Sequence, residues 1–284
     1  MQSAGGSGQQ NRPAPPALQL PRQMAGVDRG SKRRTGGELT RGWILLWAAL
    51  TGLLFAACGG QQAPSRGAPP SSGPGSAALT ATEATAVAGR INLKAADLPG
   101  FFGSPHTQTP EDRQLALEMA QCAGSTPPSA ASADVYSEDF SQGSGVQITA
   151  VFSHVTALPS VSMAEADLVA MRSARTLDCI KQSVARQAPG QVRESGGANG
   201  QLTDFKIRSL PVSVSGTDGG FGYRFTFGAS TQAAPYTVNE DALGFVDRNV
   251  EVALAAVAIG KSFPSAIEQH LLSILVARAR AAIH

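Results

Sequence analysis

The chain has 284 residues and a formal net charge of +2, and this charge is unevenly distributed along it. Seven of the 23 Lys and Arg residues, but only two of the 21 Asp and Glu residues, precede Cys58. The remainder has sixteen basic and nineteen acidic residues and lacks the basic cluster that tracks phosphates, which excludes nucleic acid as an expected partner.

Residues 1–57 are predicted to be a signal peptide. Basic residues within 32–41 precede a predominantly apolar run at 43–57, and this run ends on small side chains. Met24 offers an alternative start that would leave a signal of conventional length. Residues 1–23 are therefore interpreted as a candidate misplaced start.

A cysteine, Cys58, directly follows Ala56 and Ala57 at the end of the apolar run. This arrangement resembles the lipobox of bacterial lipoproteins. In that family the cysteine sulfur receives a diacylglyceryl group, the preceding peptide bond is cut, and the cysteine becomes the first residue of the mature protein. The resemblance implies that Cys58 is lipidated and anchors the chain in the cell membrane, facing the extracytoplasmic side.

The same apolar run could instead be an uncleaved membrane anchor. Residues 43–57 are too short for a straight helix across the ~30 Å hydrocarbon core, which needs about 20 residues, although the uncharged residues up to Gln62 would lengthen the run. In both interpretations the basic residues stay inside, so the following chain lies outside the cytoplasm.

Residues 58–90 are predicted to be a disordered linker rich in Gly, Pro and Ser. Such a segment cannot bury enough apolar surface to offset its backbone entropy. A flexible chain of this length spans on the order of 30 Å, so a folded domain at 91–284 could stand clear of the bilayer.

The first half of this domain is predicted to contain a short helical turn, a helix and two strands. Thr109 and Pro110 are typical of a helix N-terminus, and Cys122 falls on the apolar face of the helix that follows. Strands are predicted at 135–140 and 146–155, because both segments are rich in β-branched or aromatic residues around a Gly-rich turn.

The helical region after these strands should begin near Met163, break near Ser173 and resume through Cys179. Once Cys58 is lipidated, Cys122 and Cys179 remain as a pair in an oxidising compartment, where a disulfide is the expected state. Closing a loop of about sixty residues would stabilise the fold by about 4 kcal/mol. Two buried thiols are the alternative.

In the second half of the domain, apolar and polar residues alternate with a period of two, as is typical of strands. A bend is predicted at 209–211, and a Gly-rich hairpin turn at 216–220 leads into the clearest strand. A hairpin of 242–246 and 250–259 follows, and a helix from 263 to 283 ends the domain. The clearest strand carries an alternating aromatic row of Phe221, Tyr223, Phe225 and Phe227.

The predicted order of elements is helix, two strands, long helix, four strands and helix. Hairpin-length turns imply an antiparallel sheet, and helices with one apolar stripe should cover one of its faces. The fold class is therefore predicted to be a single α+β domain with an antiparallel sheet and helices packed on one face.

Motifs for catalysis and metal binding are absent from the sequence. The histidines His106, His154, His270 and His284 are far apart, and neither His-Glu-x-x-His nor Cys-x-x-Cys occurs. Gly-x-Ser-x-Gly is also missing, and His154 on a predicted strand is interpreted as a packed or edge histidine. We expect no catalytic residue, no metal and no cofactor.

The remaining polar and aromatic candidates each have two interpretations. The glycines at 216–222 lack a following Lys-Ser/Thr and lead into a strand, which favours a hairpin turn over a phosphate loop. The aromatic row could line a pocket for an apolar ligand or form the buried face of a central strand. Asp134, Glu138 and Asp139 could bind a cation or be solvated strand-end charges.

Four stretches carry a resemblance to known proteins: 93–100, the helix bearing Cys122, 134–140 and 168–179. They resemble a group of actinobacterial secreted lipoproteins and, distantly, the extracellular sensor domains of mycobacterial serine/threonine kinases. The resemblance implies an α+β sandwich with cysteine-linked helices, and ligand or partner binding without catalysis.

Two functional hypotheses follow. The first is a lipid-anchored, non-enzymatic, sensor-like module of the cell envelope that binds a small apolar molecule, a lipid or another envelope protein. The second is an envelope hydrolase with an unrecognised active site, for which substitution of His154 or Asp139 would be the test.

Overall fold

The computed structural model describes residues 80–144, 147–196, 201–230 and 235–283, all within one unit of the chain. The predicted signal peptide, Cys58 and most of the predicted linker lie outside these ranges, as does His284. None of the helices that the structure describes is long and apolar enough to cross a membrane.

Five α-helices and eight strands form the described part of the chain. The helices are α1 (Ala81–Ile91), α2 (Pro110–Ala123), α3 (Val161–Met171), α4 (Ala174–Gly196) and α5 (Ser265–Ile283), with short 3-10 turns at Ala95–Asp97 and Pro128–Ala130. The strands are β1 (Phe102–Ser104), β2 (Ala133–Tyr136), β3 (Asp139–Ser144), β4 (Gln147–Ala157), β5 (Gln201–Ser209), β6 (Gly219–Ser230), β7 (Pro235–Asp247) and β8 (Val250–Ile259).

All strands belong to one antiparallel sheet with the order β1-β3-β4-β8-β7-β6-β5. β2 and β3 share one edge of β4, because β3 pairs with its first half and β2 with its second half. The antiparallel α+β class predicted from the sequence is confirmed.

Helices cover both faces of the sheet, which corrects the prediction of a single covered face. Face one, as we call it, packs against α2, α3 and α4, and face two packs against α1 and α5. β8 shows the reason, because Ala253 and Ala255 are buried on face one while Val252 and Leu254 are buried on face two. A strand that is apolar at nearly every position is typical of a sheet buried on both sides.

Helix α1 lies inside the segment predicted to be linker, so folded structure extends upstream of residue 91 to at least Thr80. Thr80 forms a capping box with Glu83, in which the Glu83 amide donates to the Thr80 hydroxyl at 3.3 Å. Val87 and Ile91 bury the apolar side of this helix on face two. Their spacing of four residues is typical of a helix, but the linker was predicted from the Gly/Pro/Ser composition of the residues before it.

The other helix boundaries agree with the sequence signals. Thr109 caps α2 through the Asp112 amide at 3.1 Å, and Pro110 occupies the first turn. The helical region breaks between α3 and α4, where Ser173 accepts the Thr176 amide at 3.2 Å and starts the second helix.

The predicted disulfide is present and joins α2 to α4. Cys122 and Cys179 are bonded, with 5.9 Å between their Cα atoms and a sequence separation of 57. Their helices therefore pack side by side on face one, as the pairing required.

The irregularity of β5 lies earlier than the bend predicted at 209–211. The register with β6 shifts between Thr203 and Lys206, where Asp204 has a positive φ of 53°. At 209–211 the strand ends instead, and the chain leaves the sheet after the Leu210 amide donates to the Gly222 carbonyl at 2.8 Å. This departure positions the cavity described next.

Candidate functional site

The aromatic row of β6 points into face one. Phe221, Tyr223, Phe225 and Phe227 are all at most 5% exposed and belong to one core cluster. Phe221 and Tyr223 also line a cavity of about 280 Å³, whereas Phe225 and Phe227 do not. Phe225 and Phe227 therefore belong to the core alone, whereas Phe221 and Tyr223 belong to the core and also form part of the cavity wall.

This cavity, which we call the β6 cavity, lies where β5 has left the edge of β6. Its walls come from the end of α3, the segment 209–213 and the first residues of β6. A Cβ atom at Gly222 would lie 2.6 Å from the Val212 side chain, so glycine lets the segment approach the strand closely. The glycines at 216–222 thus belong to a turn and a strand start, as the hairpin interpretation predicts.

The charged group of the β6 cavity is Arg172 at the end of α3, and Ser209, Ser213 and Tyr223 are the lining residues with hydroxyl groups. Arg172 donates through Nε to the Gly220 carbonyl at 2.9 Å, and the Tyr223 hydroxyl donates to the Met171 carbonyl. No carboxylate of the described residues lies within ion-pair distance of Arg172. The cavity therefore combines apolar walls with one guanidinium group.

A second candidate site is a stack of three rings on face one, at the edge formed by β2. Tyr136 lies between His106 and His154, with ring centroids 4.2 Å and 4.0 Å away and nearly parallel planes. Tyr136 and His154 are cross-strand partners, and His106 comes from the segment that follows β1. We call this arrangement the ring stack.

Each histidine of the ring stack contacts an aspartate. His106 Nδ1 lies 2.8 Å from the Asp139 carboxylate, and His154 Nε2 forms a hydrogen bond with the Asp134 carboxylate. Burial raises the pKa of Asp134, but the charge and hydrogen bond of His154 outweigh it and hold that pKa below its ordinary value. In the sequence, His106 and His154 lie in different segments from the two aspartates, and the fold brings each histidine to its aspartate.

The acidic candidates for cation binding have different surroundings. Asp134 and Asp139 contact the histidines, whereas Glu138 is exposed; Glu138 and Asp134 both line a cavity of about 420 Å³, to which His106 and Tyr136 of the ring stack also contribute. Within the described ranges, no group of three or more His, Cys, Asp or Glu side chains is arranged to hold a metal ion. His270 is exposed on α5, which packs on face two, whereas the ring stack is on face one.

Several buried acids were missed by the sequence analysis. Glu240 on β7 is 1% exposed, and neither carboxylate oxygen has a hydrogen-bond partner among the described residues. Burial, and then repulsion from Asp241, raise the pKa of Glu240 well above its ordinary value. The sequence does contain a sign of this burial, because Glu240 lies two residues from both Val238 and Ala242 and so shares their buried side of the strand.

Comparison with known proteins does not assign this chain to a family. No family model matches this chain, and no curated protein matches it either. Among solved structures, the extracellular domain of PknH from Mycobacterium tuberculosis is similar, with 12% sequence identity and a TM-score of 0.36. The match covers 73% of this chain and 100% of that domain.

Proposed function

We propose that this chain is a lipid-anchored, sensor-like module on the extracytoplasmic side of the membrane, which binds a small, largely apolar molecule without catalysing a reaction. The observation that carries the proposal is the β6 cavity. Concave, mostly apolar sites with a few placed polar groups are the usual form of small-molecule sites. This cavity fits the description, with aromatic and aliphatic walls and one guanidinium.

The anchor in this proposal is a lipid on Cys58. Only 21 residues separate Cys58 from Thr80, the first residue that the structure describes. A flexible segment of that length has an end-to-end distance of about 25 Å, which would let the domain reach ligands at or near the membrane surface. Mass spectrometry of protein from the native host should find acyl chains on Cys58, and Cys58→Ala should move the protein to the soluble fraction. An unmodified terminus upstream of Cys58 would contradict the anchor but not the binding function.

Ligand binding is tested by a thermal-shift screen with apolar envelope molecules. A true ligand should raise the melting temperature of the wild-type chain, because it binds only the folded state. Leu210→Trp, which fills the β6 cavity, should abolish the shift, while Leu177→Trp should preserve it, since Leu177 is a half-buried leucine of face one that does not line the cavity. A shift that survives Leu210→Trp would place the ligand elsewhere.

An envelope hydrolase is the second candidate, and the ring stack is the observation that favours it. Hydrolases use an aspartate to orient a histidine that then acts as a base, and both His106 and His154 contact aspartates. Hydrolysis of generic ester, peptide or glycoside substrates that disappears in both His154→Ala and Asp139→Asn would support this function. Unchanged turnover in those variants would assign it to a contaminant.

A further inference from the structure

We infer that the ligand of the β6 cavity is a small amphiphile with a carboxylate or similar anionic head, which binds Arg172, and a short apolar body. This inference rests on the proposed function and names the class of ligand. It is carried by the position, exposure and hydrogen bonding of Arg172 relative to the apolar walls.

Arg172 has a fixed orientation but an uncompensated charge. Its Nε–H is used by the Gly220 carbonyl, which holds the planar guanidinium against the start of β6. A Cβ atom at Gly219 would collide with a terminal nitrogen of the same group, so the glycine leaves room for it. By contrast, Arg224 and Arg278 are each bonded to a carboxylate through two nitrogens.

The remaining N–H groups of Arg172 are suited to an anion. A guanidinium presents parallel donors that match the two oxygens of a carboxylate, and such charge-assisted bonds are stronger than neutral ones. Since no acidic side chain of the described residues pairs with Arg172, a ligand carboxylate would not have to displace an internal partner.

The nearby end of α3 is the main electrostatic argument against an anion, because a helix C-terminus carries a partial negative charge. Two of its terminal carbonyls are already satisfied, however. The Tyr223 hydroxyl donates to the Met171 carbonyl, and the Thr176 hydroxyl donates to the Ala170 carbonyl at 2.7 Å. The full charge of Arg172 also exceeds the roughly half charge of a helix end, so the local potential stays positive.

The cavity also sets the size and direction of the ligand. Arg172 is exposed, whereas Phe221 and Tyr223 are 5% and 3% exposed, so the anionic head would lie at the mouth and the apolar body inside. A volume of about 280 Å³ is at the lower limit for small-molecule sites, which selects a short chain or a single ring.

The test is calorimetric titration of the full chain with octanoate, octanol and octylamine, which share one apolar chain and differ in charge. We expect octanoate to bind about tenfold more tightly than octanol, and octylamine to bind most weakly. Arg172→Gln should remove the preference for octanoate while leaving octanol binding unchanged, and Arg172→Lys should retain part of it. Unchanged octanol binding also shows that the variant is folded.

A matched control separates a specific contact from a general loss of charge. Arg208 is an exposed arginine on β5 that does not line the cavity, so Arg208→Gln should leave all three affinities unchanged. Equal binding of octanoate and octanol, or a preference for octanoate that survives Arg172→Gln, would overturn the inference and leave apolar binding intact. Absence of binding by all three molecules, together with a negative thermal-shift screen, would instead remove the proposed function.

Discussion

The two faces of the sheet differ in how many aromatic rings they bury, because face one has more of them than face two. Face two packs α1 and α5 partly through small residues, with Ala84, Ala88 and Ala279 fully buried, and its buried rings are Phe140, Phe245 and Phe263. Face one packs three helices against large rings such as Phe152, Tyr223 and Phe225. Small side chains let helix backbones approach a sheet closely, whereas large rings of irregular shape leave space where their packing is incomplete.

This difference separates stability from binding. Face one carries the disulfide and the ring stack, and its rings Phe221 and Tyr223 form one wall of the β6 cavity, which lies at the edge of the sheet. These are the features with chemical or binding potential. On face two, Arg278 near the C-terminus of α5 donates two hydrogen bonds of 2.7 Å to the Asp97 carboxylate and so fixes that end of the helix. We therefore expect substitutions on face two to change stability alone, and those on face one to change ligand binding as well.

The largest expected effect is loss of the disulfide on face one. Replacing both Cys122 and Cys179 with serine should lower the free energy of unfolding by about 4 kcal/mol, because the unfolded chain is no longer constrained by a loop of nearly sixty residues. Urea unfolding with and without a thiol reductant measures this. The reductant should destabilise the wild-type chain and leave the double variant unchanged; equal stability in all four samples would contradict the prediction.

A large-to-small substitution in the core of face two should destabilise the fold slightly less than loss of the disulfide. Leu271 is fully buried on α5, and Leu271→Ala should lower the free energy of unfolding by about 3 kcal/mol. Ligand affinity measured below the melting temperature should stay the same, because Leu271 is not among the residues that line the β6 cavity. A matching loss of affinity would show that the two faces are coupled.

Buried acids on the two faces should produce separate pH dependences. Burial raises the pKa of Asp167, on face one, from 3.8 to about 6, even though the Thr126 amide and Glu251 bond to it. Burial, and then the charge and hydrogen bond of Asp241, raise the pKa of Glu268, on face two, from 4.5 to about 7.

Both folded-state pKa values exceed the unfolded ones, so the folded state binds these protons more tightly and loses stability as the pH rises. Urea unfolding from pH 4 to pH 8 measures how the free energy of unfolding falls as the pH rises. Asp167→Asn should reduce this fall between about pH 4 and pH 6, and Glu268→Gln should reduce it between about pH 4.5 and pH 7. Each variant should be more stable than the wild type at pH 8 by about 2 kcal/mol, after the effect of each raised pKa is discounted for solvent screening. Parallel curves for variant and wild type would refute the assignment.

The smallest expected effect concerns the ring stack. His106→Ala removes one ring and its bond to Asp139, and should lower the free energy of unfolding by about 1 kcal/mol. His270→Ala is the control, because His270 is exposed on α5 and should have almost no effect. Equal effects of the two substitutions would show that the stack contributes nothing to stability.

Short-range signals account for the parts of the fold that were predicted correctly. Thr109 and Pro110 start α2, Ser173 separates α3 from α4, and the two residues after Asp247 close the hairpin of β7 and β8. Each of these features depends on groups within a few residues of each other. The disulfide was predictable for a different reason, since counting cysteines leaves one pair once Cys58 is assigned to the lipid.

The candidate sites depend on residues far apart in the chain. Asp134 and His154 are 20 residues apart, His106 and Asp139 are 33 apart, and Arg172 reaches a carbonyl 48 residues away. Hydrophobic periodicity shows that a side chain is buried, but it does not show which surface buries it. For that reason both interpretations of the aromatic row, core and pocket, stayed open from the sequence. The point at which β5 leaves β6 decides which of the four rings line the cavity.

By itself, the amino-acid sequence determined the antiparallel α+β class, the helix boundaries set by local caps and the pairing of Cys122 with Cys179. Tertiary structure alone decided that helices cover both faces, that residues 81–91 fold, and that Arg172 meets Phe221 and Tyr223 around one cavity. The reason is that caps and turns are satisfied by neighbouring atoms, whereas a face or a cavity exists only after distant segments have packed together.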